Sequence, residues 1–275
     1  MRDWFYFNLS DKSSVSLALQ ELSSCHLETM GVIEDPETGE CVLCASAEED
    51  LFPTTWQYIK THQKISSEID WTQEWISFCP YFKKELGLAR IPLREFYSKP
   101  YQQACEEELI LRPGPGFGDL SHPTTHLSLQ FLASSARQSI LIDLGCGSGI
   151  LGLAALKWGA QFVYGLDIEP SALEHAKENA KLNALEQKIL FSSSFPQNHP
   201  FPPSLVVVNM TLEEQKTAIA SLQNNACTPP YWITSGILKT QQKKYLSWME
   251  QRGFLLKSSR TKEQWMGFLF QKKGP

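Results

Sequence analysis

Ile140-Leu141-Ile142-Asp143-Leu144-Gly145-Cys146-Gly147-Ser148-Gly149-Ile150-Leu151 decides the fold of this 275-residue chain. An apolar run ends in an acid, three glycines alternate over five positions, and a second apolar run of helical character follows. The first run reads as a strand buried on both faces of a parallel sheet. The glycines read as a turn where a ligand meets bare backbone, and Ile150 opens a helix. A second strand, Phe162 to Leu166, runs into Asp167, 18 positions after Gly149. Two such loops at the carboxyl ends of parallel strands read as a nucleoside-binding crevice.

Glycine spacing narrows the nucleoside. Dinucleotide sites use G-x-G-x-x-G, whose third glycine brings a helix N-terminus up to a pyrophosphate. Here the third glycine comes one residue early, and Asp143 stands two positions ahead of Gly145. That spacing suits S-adenosylmethionine, which has no phosphate to neutralise but carries an ammonium and a sulphonium. Asp143 is then expected near the methionine end, directly or through water, and Asp167 to accept from the two ribose hydroxyls. Gly145, Gly147, Gly149 and Ile168 complete this expected cofactor set.

Composition supports a soluble globular protein: 42% of residues are hydrophobic and 20% charged, which excludes a disordered chain. The formal charge of −5, with no dense run of Lys or Arg, gives little purchase on a phosphate backbone, so direct DNA binding is not expected. No signal-like amino terminus or membrane-length apolar run is present, and the seven cysteines are scattered, so reduced thiols in a cytoplasm are expected. Cys41-Val42-Leu43-Cys44 lacks a second pair or a nearby histidine and reads as the returning strand of a hairpin. No metal site is expected. Cys146 is expected to serve by being small.

Before the glycine turn, a strand at 4–9, a helix at 13–23 capped by Ser10-Asp11, a hairpin of 27–34 and 41–45 turning at Asp35–Gly39, and a helix from Asp50 to His62 outline a small α+β unit of ferredoxin-like type at 1–66. Residues 67–105, aromatic and proline-punctuated, read as a connector that includes Asp70-Trp71, Phe78 and Pro100. Residues 106–275 read as an α/β domain: a Rossmann-like sheet with a helix at 171–183, strands at 205–209 and 231–235, a helix at 241–252 and a terminal antiparallel hairpin of 254–256 with 265–271.

Two further loops belong to the site. Arg112-Pro113-Gly114-Pro115-Gly116-Phe117-Gly118 is too rich in proline and glycine for helix or central strand. It precedes the helix that leads into the first sheet strand, which places it over the methionine end of the cofactor. Thr125, at that helix start, offers a hydroxyl and an amide to the cofactor, and His122 is the one candidate base. Asn209 ends the strand Val206-Val207-Val208. Its neutral amide orients a nucleophile or holds the cofactor rather than removing a proton.

Taken together these residues resemble one family, the bacterial ribosomal protein L11 methyltransferases (PrmA). The resemblance rests on Pro113-Gly114, Phe117-Gly118, His122-Pro123-Thr124-Thr125, Asp143 through Leu151, Asp167-Ile168-Glu169-Pro170, Val207-Val208-Asn209 and Ser235-Gly236-Ile237-Leu238. It implies a class I methyltransferase fold. It also implies a monomeric, S-adenosylmethionine-dependent N-methyltransferase acting on lysine side chains and an α-amino group of L11, with cofactor contacts at Thr125, Gly145, Asp167 and Asn209. The family's Thr-Gly after Phe-Gly is Asp119-Leu120 here, the Asp opening that loop is Arg112, and the Ile-Leu after the asparagine is Met210-Thr211. Without glycine at 120 the chain is expected to lose access to positive φ there. The rival readings are a nucleic-acid or small-molecule N-methyltransferase and a non-catalytic cofactor-binding homologue. Enzymes that flip adenine follow the strand-end Asn or Asp with Pro-Pro and an aromatic, which Met210-Thr211-Leu212 does not supply.

Overall fold

A computed structural model describes residues 3–9, 14–22, 28–34, 41–47, 51–52, 55–64, 72, 75–76, 79–97, 108–198, 200–224 and 229–273. Ser10-Asp11, the Asp35–Gly39 turn, Asp70-Trp71, Phe78 and Pro100 lie outside them. The chain divides into two compact units, Met1–Asp70 and Trp71–Pro275.

The first unit is a four-stranded antiparallel sheet of β1 (Asp3–Leu9), β2 (Glu28–Glu34), β3 (Cys41–Ala47) and β4 (Ile59–Lys64), in the order β2-β3-β1-β4, with helix α1 (Val15–Glu21). Alternation along β1 buries Phe5, Phe7 and Leu9 against Ala18, Leu22, Cys41, Leu43 and Ile59. The strand order is that of a ferredoxin-like sheet. The helix expected from Asp50 to His62 is corrected here, because Ile59–Lys64 is an edge strand paired antiparallel with β1. The Glu21 carboxylate draws the Gln57 and Tyr58 amides (2.7 and 3.1 Å) away from helical partners, and β4 takes its hydrogen bonds from β1.

In the second unit, β5 (Phe82–Lys83), β6 (Leu88–Pro92) and β7 (Glu108–Leu111) form a small antiparallel sheet. Trp75, Cys79, Ala89, Ile91 and Leu93 join its main core, so this stretch of the expected connector packs within the second unit. The large sheet has seven strands: β8 (Ile140–Leu144), β9 (Phe162–Leu166), β10 (Ile189–Ser192), β11 (Leu205–Asn209), β12 (Tyr231–Leu238), β13 (Phe254–Lys262) and β14 (Trp265–Lys272). Their order is β10-β9-β8-β11-β12-β14-β13. The first five are parallel, and β14 and β13 close the sheet as an antiparallel hairpin.

Both faces are covered, as the unbroken apolar runs require. Leu141, Val163, Val207 and Ile233 pack under α2 (Pro123–Ser135) and α3 (Ile150–Lys157). Ile142, Tyr164, Val206, Val208, Trp232 and Phe268 pack under α5 (Leu212–Asn224) and α6 (Gln242–Gln251). Helix α4 (Pro170–Leu182) follows β9. Strand order reverses at β8, with β9 on one side and β11 on the other. The crevice at the carboxyl ends of β8, β9 and β11 is therefore the sheet's switch point.

Candidate functional site

Register brings the expected polar residues to one face. Asp143 is paired with Gly165 and Val207, and Asn209 with Ser235. Side chains alternate along a strand, so Asp143 and Asn209 share the α2/α3 face at the carboxyl end. Asp143 is buried: its Oδ2 accepts from the Gly152 amide at 2.8 Å, while Oδ1 has no partner among the described residues. Burial raises its pKa to about 7 against the Gly152 hydrogen bond, with a smaller push from the Asp167 charge. Burial likewise pushes the Cys146 thiol up, which leaves it no nucleophile and fits the sequence expectation of a small filler.

The glycine turn is shaped by close approach. Gly145, Gly147 and Gly149 all adopt positive φ (76°, 53° and 80°). A Cβ on Gly147 would sit 2.4 Å from the Phe117 carbonyl oxygen, and one on Gly145 would sit 2.0 Å from the Met210 methyl. The Gly145 and Cys146 amides both donate to Leu166 O (2.7 and 2.9 Å), which ties the turn to the end of β9. There Asp167 accepts from the Gly147 amide through Oδ2 (2.9 Å) and from the Glu169 amide through Oδ1 (3.0 Å). Each oxygen keeps a lone pair for a further donor. Ile168, beside it, is 82% exposed.

The Arg112–Gly118 loop lies on this turn. Ser148 donates its amide to Phe117 O (2.9 Å) and its hydroxyl to Gly118 O (2.8 Å). His122 is the N-cap of α2 and meets the Thr124 hydroxyl at 2.7 Å. Its ring packs edge-on against Trp265 (centroids 4.8 Å apart) and Phe117 (5.8 Å), and burial lowers its pKa against the opposing pull of the Glu263 and Asp119 carboxylates. Thr125 is wholly buried in the first turn of α2. Its amide bonds to His122 O at 3.2 Å, and its hydroxyl has no partner among the described residues.

One expectation is corrected. Leu120 has no glycine's freedom, yet it adopts φ 71°, in the left-handed region, with its side chain buried in the core. Burial of that side chain offsets a strain of about 1–2 kcal/mol. Asp119 turns inward on its own loop, where Oδ1 accepts from the Ser121 amide (2.9 Å) and hydroxyl (2.6 Å).

Sequence reasoning passed over two groups that build the site. Gln215, wholly buried, donates to Met210 O (2.8 Å) and Ser235 O (2.7 Å) and accepts from the Tyr245 hydroxyl (2.6 Å), which anchors the loop after Asn209. His175 and Asn179 lie on one face of α4, and Asn183 is its C-cap. Their signal was present as polar residues at four-residue spacing among Ala172, Ala176 and Ala180.

A family model described as ribosomal protein L11 methyltransferase (PrmA) matches residues 17–273. The chain belongs to this family. The L11 methyltransferase of Caldanaerobacter subterraneus is 32% identical over 219 residues, covering 78% of this chain and 69% of that protein. That of Hamiltonella defensa is 36% identical, covering 71% of this chain and 63% of its own length. That of Saccharophagus degradans is 32% identical over 248 residues, covering 85% and 82%. Among solved structures, the ribosomal protein L11 methylase of Lactobacillus delbrueckii subsp. bulgaricus superposes with a TM-score of 0.56 at 27% identity, covering 67% of this chain and 99% of that one. The sheet is thus the Rossmann-like sheet of a class I methyltransferase, and the cofactor of such an enzyme is S-adenosylmethionine.

The residues present fit that group. At Gly145 and Gly147 the backbone is bare because Met210 and Phe117 pack against it, which fixes the shape of the turn. The lone pairs of Asp167 suit a diol, and Ile168 offers an apolar surface for a base. The orphaned Asp143 Oδ1 and Thr125 hydroxyl suit a charged, hydrogen-bonding end. A buried polar atom without a partner costs about 1–3 kcal/mol, so both atoms favour a ligand or water that satisfies them.

Proposed function

We propose that the protein methylates lysine ε-amino groups and an α-amino group of ribosomal protein L11, as a cytoplasmic monomer using S-adenosylmethionine. The observation that carries this reading is the gathering of the bare glycine turn, Asp143 and Asn209 on one sheet face beside Asp167, in a chain of the L11 methyltransferase family. The curated relatives bear that substrate in their names.

Bound S-adenosylmethionine supplies an already activated methyl group, so the residues have to bind, orient and exclude water. Asp167 holds the ribose hydroxyls while keeping Gly147 and Glu169 in place. Gly145, Gly147 and Gly149 give the backbone its close approach, and Ile168 lies under the base. Asp143 and Thr125 meet the methionine end, and the Asn209 carbonyl accepts from the incoming amine and aligns its lone pair. Unit Met1–Asp70 grips L11.

Proton removal sets the pH dependence. Bringing a lysine of pKa about 10.4 to its neutral form costs roughly 4 kcal/mol at pH 7.4, while an α-amine near 7.7–8.0 costs under about 1 kcal/mol. Burial beside a positive sulphonium disfavours the ammonium and lowers both costs. No dedicated base is required. His122, with Nδ1 engaged by Thr124 and its ring against Trp265, serves as helix cap and channel wall.

A nucleic-acid substrate has less support, since no aromatic follows Asn209-Met210 and the net charge is −5. Tritium from methyl-labelled S-adenosylmethionine is offered to isolated L11, ribosomal RNA and free amino acids in parallel. Label is expected in L11. Label in RNA, or cofactor binding with no transfer to any of the three, overturns the reading.

A further inference from the structure

We infer that Asn179 of α4 is a positioning residue for the cofactor crevice: it latches the Arg112–Gly118 loop and the glycine turn together. The inference rests on the reading of that crevice as the S-adenosylmethionine site.

His175, Asn179 and Asn183 follow one another at four-residue spacing and are buried, Asn179 completely. An amide in a dry helix interface is destabilising unless its groups are bonded, and these are. Asn179 Oδ1 accepts from the Arg112 amide at 3.0 Å, and its Nδ2 donates to Ser148 O at 2.9 Å. One side chain therefore bonds the first residue of the loop and the turn between Gly147 and Gly149. His175 Nδ1 accepts from the Gly116 amide at 3.0 Å, so its Nε2 carries the proton and donates to Arg112 O at 2.8 Å. Asn183 bonds neither the loop nor the glycine turn: Oδ1 accepts from the Ile110 amide (3.0 Å), and Nδ2 donates to Ile110 O (2.6 Å) and to the Asn179 main-chain carbonyl (2.8 Å).

The loop is cut to fit this latch. Gly114, Gly116 and Gly118 alternate with Pro115 and Phe117, and a Cβ on each would collide with a different wall. On Gly114 it would lie 2.6 Å from the His175 ring, on Gly116 2.5 Å from Gly147 C, and on Gly118 2.7 Å from Ile150 Cγ2. The far end of the loop is bonded to Ser148, through Phe117 O and Gly118 O. Helix, loop and turn thus form a closed ring, and the Gly147 amide within it is the one held by Asp167. Opening the ring at Asn179 frees the loop start and the turn in one step and shifts the backbone that the cofactor meets.

Calorimetry with S-adenosylhomocysteine on the full chain tests this, together with hydrogen exchange of the loop amides. Asn179→Ala is expected to bind about tenfold or more weakly and to exchange the Gly116–Gly118 amides faster, with the KM for S-adenosylmethionine raised and the KM for L11 within about twofold of wild type. Asn183→Ala, which removes a buried amide of the same helix outside the ring, is expected to lower the melting temperature with affinity unchanged. If Asn179→Ala does not fold, Asn179→Asp keeps the acceptor for the Arg112 amide, removes the donor to Ser148 O and is expected to show the same loss of affinity. Wild-type affinity in a folded Asn179→Ala or Asn179→Asp overturns the inference, as does equal loss of affinity in Asn179→Ala and Asn183→Ala. Failure of the wild-type protein to bind at all overturns the cofactor reading itself.

Discussion

The turn after β8 and the loop after β11 end neighbouring parallel strands of one sheet, and they are held in different ways. The first is shaped by bare backbone: Gly145 and Cys146 bond to Leu166 O, no Cβ fits between the turn and the loop above it, and the side chains of Asp167 and Asn179 bond only its main-chain groups. The second is held by side chains, with Gln215 bridging Met210 O and Ser235 O and Tyr245 fixing Gln215 from below. A turn shaped by bare backbone admits almost no substitution, because each Cβ has an immediate collision. A loop anchored from behind keeps its path while its own side chains change. Of the positions where this chain departs from the family pattern, Met210 and Thr211 lie in the anchored loop, Asp119 and Leu120 are held by their bonds to Ser121 and by the burial of Leu120, and Arg112 opens the loop above the turn, where its backbone bonds to Asn179 and His175. Leu120 shows how far this goes, since it follows the left-handed path of a glycine and is held there by its own burial.

At Gly236 the anchored loop itself depends on bare backbone. Gly236 has φ 94°, and a Cβ there would stand 2.0 Å from Met210 O. Gly236→Ala is expected to cost roughly 2–4 kcal/mol, read as a fall of about 5–15 °C in the melting temperature. An unchanged melt would mean that the loop after Asn209 yields easily and the contrast fails.

Asp167→Ala probes the backbone-held half next. It removes the acceptor for the Gly147 and Glu169 amides and, on the proposed reading, for the ribose hydroxyls. Charge-assisted hydrogen bonds are worth about 1.5–3 kcal/mol each, so cofactor affinity should fall tenfold or more. Equal affinity by calorimetry would place the ribose elsewhere.

The smallest effect sharpens the comparison within the first half, between its two acids. Asp143, buried, has its pKa raised from 3.8 to about 7. The folded state therefore holds this proton more tightly than the unfolded state. Its contribution to stability is fully present below about pH 4 and is lost as pH rises through 7. Asn keeps an acceptor for Gly152 and carries no charge. Asp143→Asn should thus gain on the wild type by on the order of 1–2 kcal/mol between pH 6 and pH 8 in urea denaturation without cofactor. A variant that loses ground over that range would show the acid to be stabilising as a carboxylate.

Most of the sheet and the glycine turn were legible because their physics is local. Buried parallel strands read as apolar runs, a glycine turn reads as alternating glycines, and one acid lies near the end of β8 while another follows β9. What escaped reading depends on partners distant in sequence. The edge strand Ile59–Lys64 buries only Ile59 and is a strand because β1 offers it hydrogen bonds, so its own residues pass equally for a helix. The short strand Ile189–Ser192 is set by pairing with β9, and the Phe82–Lys83 and Leu88–Pro92 strands by a partner at Glu108–Leu111. In the site, Thr125 and Asn209 were legible as residue types at element ends. Gln215 and Asn179 were not, since a buried amide in a helix shows its purpose only when the two loops it bonds are in view.

Hydrogen exchange with and without S-adenosylhomocysteine tests most directly that the crevice at the carboxyl ends of β8, β9 and β11 holds the cofactor. New protection is expected at the amides of 145–149, 167–168 and 116–118, with little change at the opposite end of the sheet, where Ser139, Ser204 and Tyr231 line a cavity. Protection confined to that opposite end, or to residues 1–70, would contradict the account.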